Sequence, residues 1–320
     1  MSMVLIDLPN FFNGLVAESS IDLALTKAYF LDWLDLELMA SILIPDPEQE
    51  ESIGTWVFFS DRAMGRGTAR LSPEELREFV KRHNRITGIS AIPVDIPGDQ
   101  GESFKFACSE CGADNEAQTL SEKGIDSTLI THLFDTMEHW TTATIVSQDI
   151  DYCPAVRALR KRGKLVYGAG FIKRAGEALI TECFGYKDVM REYIQGDMSL
   201  FLLFQRGGRL SQLVKSASKV DGVTLSAISP SSMLGHGGMS WSLTVRRNDK
   251  VKIRPDLEDL LLEQAAVIKR EFPFITIRTK HSPESLIEMF MHLNSRQQQS
   301  LYRASERYLD FEVKGPDDVY

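Results

Sequence analysis

Short, unbroken apolar runs alternate with stretches of helical spacing through the first 195 residues, and this limits the fold more than any other feature. Val4-Leu5-Ile6 stops at Asp7, residues 55–60 are β-branched and aromatic, and residues 89–96, 144–146 and 165–167 follow in the same style. A strand exposed on one side alternates apolar and polar residues, whereas a continuous apolar run is covered on both faces, as parallel strands are. Between the runs, the spacing predicts helices over 22–43, 72–84, 126–139, 154–160 and 172–194. The second of these opens on Ser72-Pro73-Glu74-Glu75, with Ser as N-cap, Pro in the first helical position and Glu at N3. The class predicted is α/β: a doubly wound parallel sheet with helices on both faces. Its ligand site is expected at the carboxyl ends of the strands, where the strand order reverses.

The rest of the chain has another rhythm. Strands are predicted over 200–205, 223–228, 241–246 and 274–277, and helices over 210–219 and 256–271, which is the βαββαβ order of an α+β, ferredoxin-like domain. A last helix is predicted over 283–309. Two domains are therefore expected, 1–195 and 196–320. The net charge is −9, yet residues 198–255 hold nine Arg or Lys against two acids. The acidic total opposes non-specific nucleic-acid binding by the whole chain, while the basic stretch could guide an RNA backbone or serve as a partner surface. The C-terminal domain is expected to supply substrate recognition or contacts with a partner, a second copy of the chain included. Hydrophobic residues at 43% and charged residues at 25% exclude disorder and a disulfide scaffold. No apolar run reaches the roughly 18 residues of a membrane span. The N-terminus meets Asp7 without a basic region, unlike a signal peptide, and four cysteines fit a reducing cytoplasm.

Acids end the strands. Asp7 closes the first, with Asn10 three residues on; Asp149 and Asp151 follow the run 144–146, two apart and so on one side of an extended segment; Asp126 stands at a helix entry. In a parallel sheet Asp7, Asp149 and Asp151 reach one edge, and the helix start could bring Asp126 to it; like charges gathered there repel unless a cation lies among them, and hard oxygen ligands suit Mg²⁺ or Mn²⁺. Plainer roles compete: Asp7 as a turn residue, Asp126 as an N-cap, and Asp151 as the cap of the helix opened by Pro154. An Asp-x-Asp also occurs in metal–nucleotide transferases, which leaves glycosyl or phosphoryl transfer as a further alternative.

Three segments, in order, resemble the NYN domain family of PIN-like metal-dependent ribonucleases. Val4-Leu5-Ile6-Asp7-Leu8-Pro9-Asn10 resembles its opening I-D-x-x-N, Glu122-Lys123-Gly124-Ile125-Asp126 its E-K-G-V-D, and Ser147-Gln148-Asp149-Ile150-Asp151-Tyr152 its S-G-D-S-D-F. The resemblance covers about residues 3–195. It implies a Rossmann-like fold and an endoribonuclease in which Asp7, Asp126, Asp149 and Asp151 hold Mg²⁺ or Mn²⁺, Asn10 and Ser147 are polar supports, and RNA is the substrate. Gln148 stands where the family has Gly and Tyr152 where it has Phe; neither change removes a ligand, and the Tyr is expected to be neutral. A non-catalytic RNA-binding or scaffold protein that keeps the fold is the alternative.

Two other groups stand out. Cys108-Ser109-Glu110-Cys111 is half of a zinc knuckle with no second half. A vestigial turn or free thiols is preferred, and a Zn²⁺ site, partial or shared across a dimer, is the alternative. Arg62, Arg66 and Arg70 surround Gly65 and Gly67 after the second strand, on the same edge as the acids, where arginine can bind phosphate or merely be solvated.

Overall fold

The computed structural model describes residues 1–45, 51–84, 88–94, 102–107, 114–119, 124–205, 207–225, 228–231, 240–248, 252–279 and 284–308. The chain forms two compact units, one of Met1–Leu31 with Asp35–Tyr193 and one of Asp32–Leu34 with Ile194–Tyr320.

The first unit contains the strands β1 (Ser2–Asp7), β2 (Ser52–Phe59), β3 (Ile89–Pro93), β4 (Glu102–Ala107), β5 (Asp114–Thr119), β6 (Thr142–Val146), β7 (Leu165–Gly170) and β8 (Tyr186–Asp188). Its helices are α1 (Leu8–Glu18), α2 (Leu23–Ala28), α3 (Leu36–Leu43), α4 (Pro73–His83), α5 (Ile125–Asp135), α6 (Cys153–Arg160) and α7 (Glu177–Glu182). Six strands make an all-parallel sheet in the order β3-β2-β1-β6-β7-β8, while β4 and β5 form a separate antiparallel pair. After β1 the chain builds outward through β2 and β3; it then returns to β6 beside β1 and builds the other way. The reversal therefore lies between β1 and β6, where the crevice of an open α/β sheet binds its ligands.

Both faces of the sheet are covered, as the apolar runs require. Met3 and Leu5 of β1 share a core with Leu129 and Leu133 of α5 and with Val156 and Leu159 of α6. Val4 and Ile6 alternate to the opposite face and are equally buried. Each such side chain, fully buried, contributes about 1.5–3 kcal/mol. The register sets Ile6 beside Val146 on one side and Val57 on the other, so that Asp7 leaves the sheet at the same level as Ser147.

Two predicted helices of this unit are broken. Residues 22–43 hold α2, a π turn at Tyr29–Trp33, and α3, because Asp35 accepts the Leu38 N–H and starts a new helix. Residues 172–194 hold a turn, α7, β8 and another π turn, since the edge strand at Tyr186–Asp188 pairs with β7.

The second unit is α+β with an antiparallel sheet, but not in the predicted order. Its elements are α8 (Gln195–Phe204), α9 (Arg209–Ser218), β9 (Val223–Leu225), β10 (Ser229–Ser231), β11 (Ser240–Arg247), α10 (Pro255–Glu271), β12 (Ile275–Thr279), β13 (Ser285–His292) and α11 (Ser295–Tyr308). The sheet runs β10-β11-β13-β12, with β9 also on β11. The predicted strand over 200–205 is helical. Leu200, Phe201, Leu203 and Phe204 are all buried, and an apolar run covered all round has no period to tell strand from helix. The predicted helix over 283–309 begins instead with β13, whose Leu, Glu and Met favour helix until pairing with β11 on one side and β12 on the other overrides them. The ferredoxin-like βαββαβ order is thus replaced by ααβββαββα.

Candidate active site

Asp7 is the last residue of β1 and the N-cap of α1. Its Oδ1 accepts the Asn10 N–H at 3.1 Å, and its Oδ2 accepts the Ser147 hydroxyl at 3.3 Å. Only 4% of it is exposed. Ser147, the first residue after β6, also accepts the Asp149 N–H at 3.2 Å, so one hydroxyl orients an acid from each of the two central strands. The Asn10 side chain accepts the Gln148 N–H at 2.9 Å, which ties α1 to the same loop. Ser147 thus holds the Asp7 carboxyl, and Asn10 holds the loop that carries Asp149.

The remaining acids come from the start of α5 and from the loop after β6. Gly124, not Asp126, is the N-cap of α5, so capping does not account for Asp126. Asp151 caps nothing either: α6 starts after Tyr152, which forms no side-chain cap. Asp149 does cap, accepting the Asp151 N–H at 3.0 Å over the tight turn Ile150–Tyr152. Carboxylate oxygens of Asp126, Asp149 and Asp151 lie within 4.8 Å of one another. Asp7 is joined to this trio through Tyr152, whose hydroxyl lies 2.7 Å from Asp126 Oδ1 and 3.1 Å from Asp7 Oδ2.

A phenol has one proton to give. Donated to Asp126, the nearer acceptor, it leaves Asp7 needing a proton of its own to keep the second contact. Burial favours that: it is the main cause that raises the Asp7 carboxyl from its ordinary 3.8 to about 7, against the lowering effect of the Asn10 N–H and with the Asp126 charge adding to the rise. Asp126 is also raised, first by burial, with the charges of Asp149 and Asp151 adding to it and the Tyr152 hydrogen bond opposing. Burial and the two facing carboxylates push the Tyr152 hydroxyl itself far above the usual phenol range, so it stays a donor.

These residues fit a divalent cation. All donors are hard oxygens, and among the described residues no Lys or Arg forms an ion pair with any of the four acids. The three oxygens, within 4.8 Å of one another, are near enough to share one hard cation. Among the described residues no protein cation neutralises them, and a divalent metal ion would.

The acids form one wall of a cleft of about 600 Å³. Asp7, Asp126 and Asp149 line it together with Asn10 and Asn13 of α1 and the loop after β2, including Gly65, Arg66, Gly67 and Arg70. Gly65 is left-handed (φ 83°), and a Cβ there would lie 2.6 Å from the Phe12 ring, so the loop closes on α1 only because that side chain is missing. Arg66 and Arg70 are exposed and form no ion pair among the described residues. Arg62, half-buried, is not part of the lining. Cys108 and Cys111 lie outside the described residues.

Three contributors escaped sequence reasoning. Tyr152, expected to be neutral, carries the hydroxyl that links Asp7 to Asp126. Asn13 lines the cleft from one helical turn beyond the I-D-x-x-N segment. Gln148, in the place of a Gly, seats its amide between Gly14 and Gly170, where a Cβ on either glycine would lie 2.7 Å from it. Only the second had a signal, its spacing from Asn10 along α1.

No helix among the described residues is long and apolar enough to cross a membrane. No curated protein matches the chain. Among solved structures, a protein of unknown function from Vibrio parahaemolyticus is similar at 15% identity, covering 60% of this chain and 93% of that one, with a TM-score of 0.37. A putative oxidoreductase from Parabacteroides merdae is similar at 7% identity, covering 95% of this chain and 90% of that one, with a TM-score of 0.24. The model of the NYN domain matches residues 57–221. This range differs from the segment 3–195 that carries the motif resemblance: it holds Asp126, Asp149 and Asp151 but leaves out β1, so Asp7 and Asn10 lie outside the match and are tied to the site by their hydrogen bonds. With more than half of its 320 residues inside that match, the chain belongs to the NYN domain family.

Proposed function

We propose that this protein is a metal-dependent endoribonuclease whose centre is the cluster Asp7, Asp126, Asp149 and Asp151. The observation that carries the proposal is the convergence of four acids, from the ends of the two central strands and the start of α5, with no protein cation among them in the described residues, in a chain of the NYN family. Asp126, Asp149 and Asp151 hold Mg²⁺ or Mn²⁺, and Asp7 completes the set from below through Tyr152. Such an ion, when bound, activates a water and neutralises charge on a phosphoryl group. Ser147 keeps Asp7 and Asp149 in mutual register, and Asn10 fixes the loop that carries Asp149. Arg66 and Arg70 bind the RNA phosphates on the opposite wall of the cleft, where a guanidinium pairs with two phosphate oxygens at once.

The test is cleavage of a labelled RNA by purified protein with Mn²⁺, with Mg²⁺ and with EDTA. The expected result is cutting with either ion, none in EDTA, and none by a folded Asp149→Asn variant. RNA that is bound but never cut would favour the scaffold alternative, and cutting that survives Asp149→Asn would place the chemistry elsewhere.

A further inference from the structure

The cleft accounts for one flank of the acids only. Arg66 and Arg70 follow β2, which adjoins β1. On the other flank, β7 adjoins β6, and the turn after it carries Ile172-Lys173-Arg174, all exposed. This turn reaches the acid loop. A Cβ added to Gly176 would lie 2.3 Å from Ile150 Cγ2, so the turn touches Ile150, the residue between Asp149 and Asp151. Ile150 is 53% exposed and Ile172 42%, two of the few large apolar side chains left in water in the described residues. Neither serves the core. The Lys173 ammonium is 3.9 Å from Glu18 with 82% of its side chain exposed, which is a weak tie, and Arg174 has no ion pair among the described residues.

The edge of the sheet therefore reads cation, acid, acid, cation from β2 through β1 and β6 to β7. The outer strands are about 14 Å apart, three intervals of about 4.8 Å. That is the span of a short run of nucleotides, more than a single phosphate.

We propose that the turn Ile172-Lys173-Arg174, together with Ile150, is a second RNA-binding wing on the flank opposite Arg66 and Arg70. A single strand crosses the whole carboxyl edge of the sheet and is cut within its length rather than trimmed from an end. Lys173 and Arg174 bind phosphates beyond the scissile one, and Ile150 and Ile172 offer an apolar surface to a base face. The inference rests on the nuclease function proposed above, and its test separates the two.

The probe is a labelled oligouridylate of about twelve nucleotides, within the usual range of single-strand sites. Its binding to the full chain is followed by fluorescence anisotropy in EDTA across a salt series. The double variant Lys173→Glu/Arg174→Glu changes exposed side chains only and is expected to keep the wild-type melting temperature. Its affinity should fall about tenfold or more, and the slope of log K against log salt should flatten by about 1.4, at about 0.7 per lost phosphate contact on a single strand. Ile172→Ser should weaken binding about threefold with the slope unchanged, because no charge is lost. A double variant with wild-type affinity and slope overturns the second wing, even if wild-type protein cuts RNA. Wild-type protein that fails to bind the probe overturns it as well. Loss of binding in the double variant, in a protein that never cuts, keeps the wing and removes the nuclease.

Discussion

Asp7 and Asp126 share one hydroxyl: Tyr152 Oη lies 3.1 Å from the first carboxylate and 2.7 Å from the second, although 145 residues separate Tyr152 from Asp7 in the chain. The tyrosine therefore fixes the spacing between a buried acid and a half-exposed one. Tyr152→Phe keeps the packing and removes the link. Because groups that orient metal ligands typically affect affinity 10–100-fold, Mn²⁺ binding by calorimetry should weaken by about tenfold or more, with the melting temperature in EDTA little changed. An unchanged Mn²⁺ affinity would show that the hydroxyl is idle.

The raised Asp7 carboxyl makes metal-free stability depend on pH. Its folded-state value, about 7, lies above the unfolded 3.8, so the folded chain binds more protons between the two. The stability this group contributes is complete below about pH 4 and is lost as pH rises through about 7. In EDTA, wild-type protein should lose on the order of 2–3 kcal/mol more than Asp7→Asn between pH 5 and pH 8 in urea unfolding. Saturating Mn²⁺ should remove most of that difference. Equal losses in wild type and variant would mean that Asp7 is ionised in the folded chain throughout.

Arg66 and Arg70 line the same cleft as the acids and form no ion pair among the described residues. Arg66→Ala and Arg70→Ala should each raise KM for RNA by about three- to tenfold, lessening as salt is added, since the lost contact is electrostatic. The same changes should leave the melting temperature in place, as both side chains are exposed. A kcat that falls with KM fixed would instead give these arginines a role at the reacting phosphate.

Gly14 is required by packing: a Cβ there would lie 2.4 Å from Phe171 Cδ2 and 2.7 Å from Gln148 Oε1. Gly14→Ala should destabilise the protein by about 1–3 kcal/mol, the usual penalty for overfilling a packed interior, measured by urea unfolding. The companion change Gln148→Gly opens the space beside it and should recover part of the loss. No recovery would indicate that Phe171 alone sets the limit.

Much of this was legible in the sequence, for identifiable reasons. Asp7 and Asp149 could be found because each stands at or just past the end of an apolar run, and the parallel register of β1 and β6 brings those ends together, although both acids also cap the turn that follows. Asp126 and Asp151 were ambiguous until Gly124 and Tyr152 occupied the cap positions that would have explained them. Tyr152 was illegible: beside Phe it gains only a hydroxyl, and the value of that oxygen depends on two acids brought to it by folding. Leu200–Phe204 and Ser285–His292 misled for a related reason, since burial on all sides erased the period in one and sheet pairing overrode helical preference in the other.

A divalent ion held by Asp126, Asp149 and Asp151 is the centre of the proposed chemistry. Crystals of the full chain soaked in Mn²⁺ should show an anomalous peak about 2.2 Å from an oxygen of each of these three carboxylates, the distance of a hard cation with oxygen ligands. The peak should be absent in Asp149→Asn crystals treated alike. A saturating soak with no peak among these oxygens, or with its strongest peak elsewhere on the chain, would contradict the metal centre and the ribonuclease built on it.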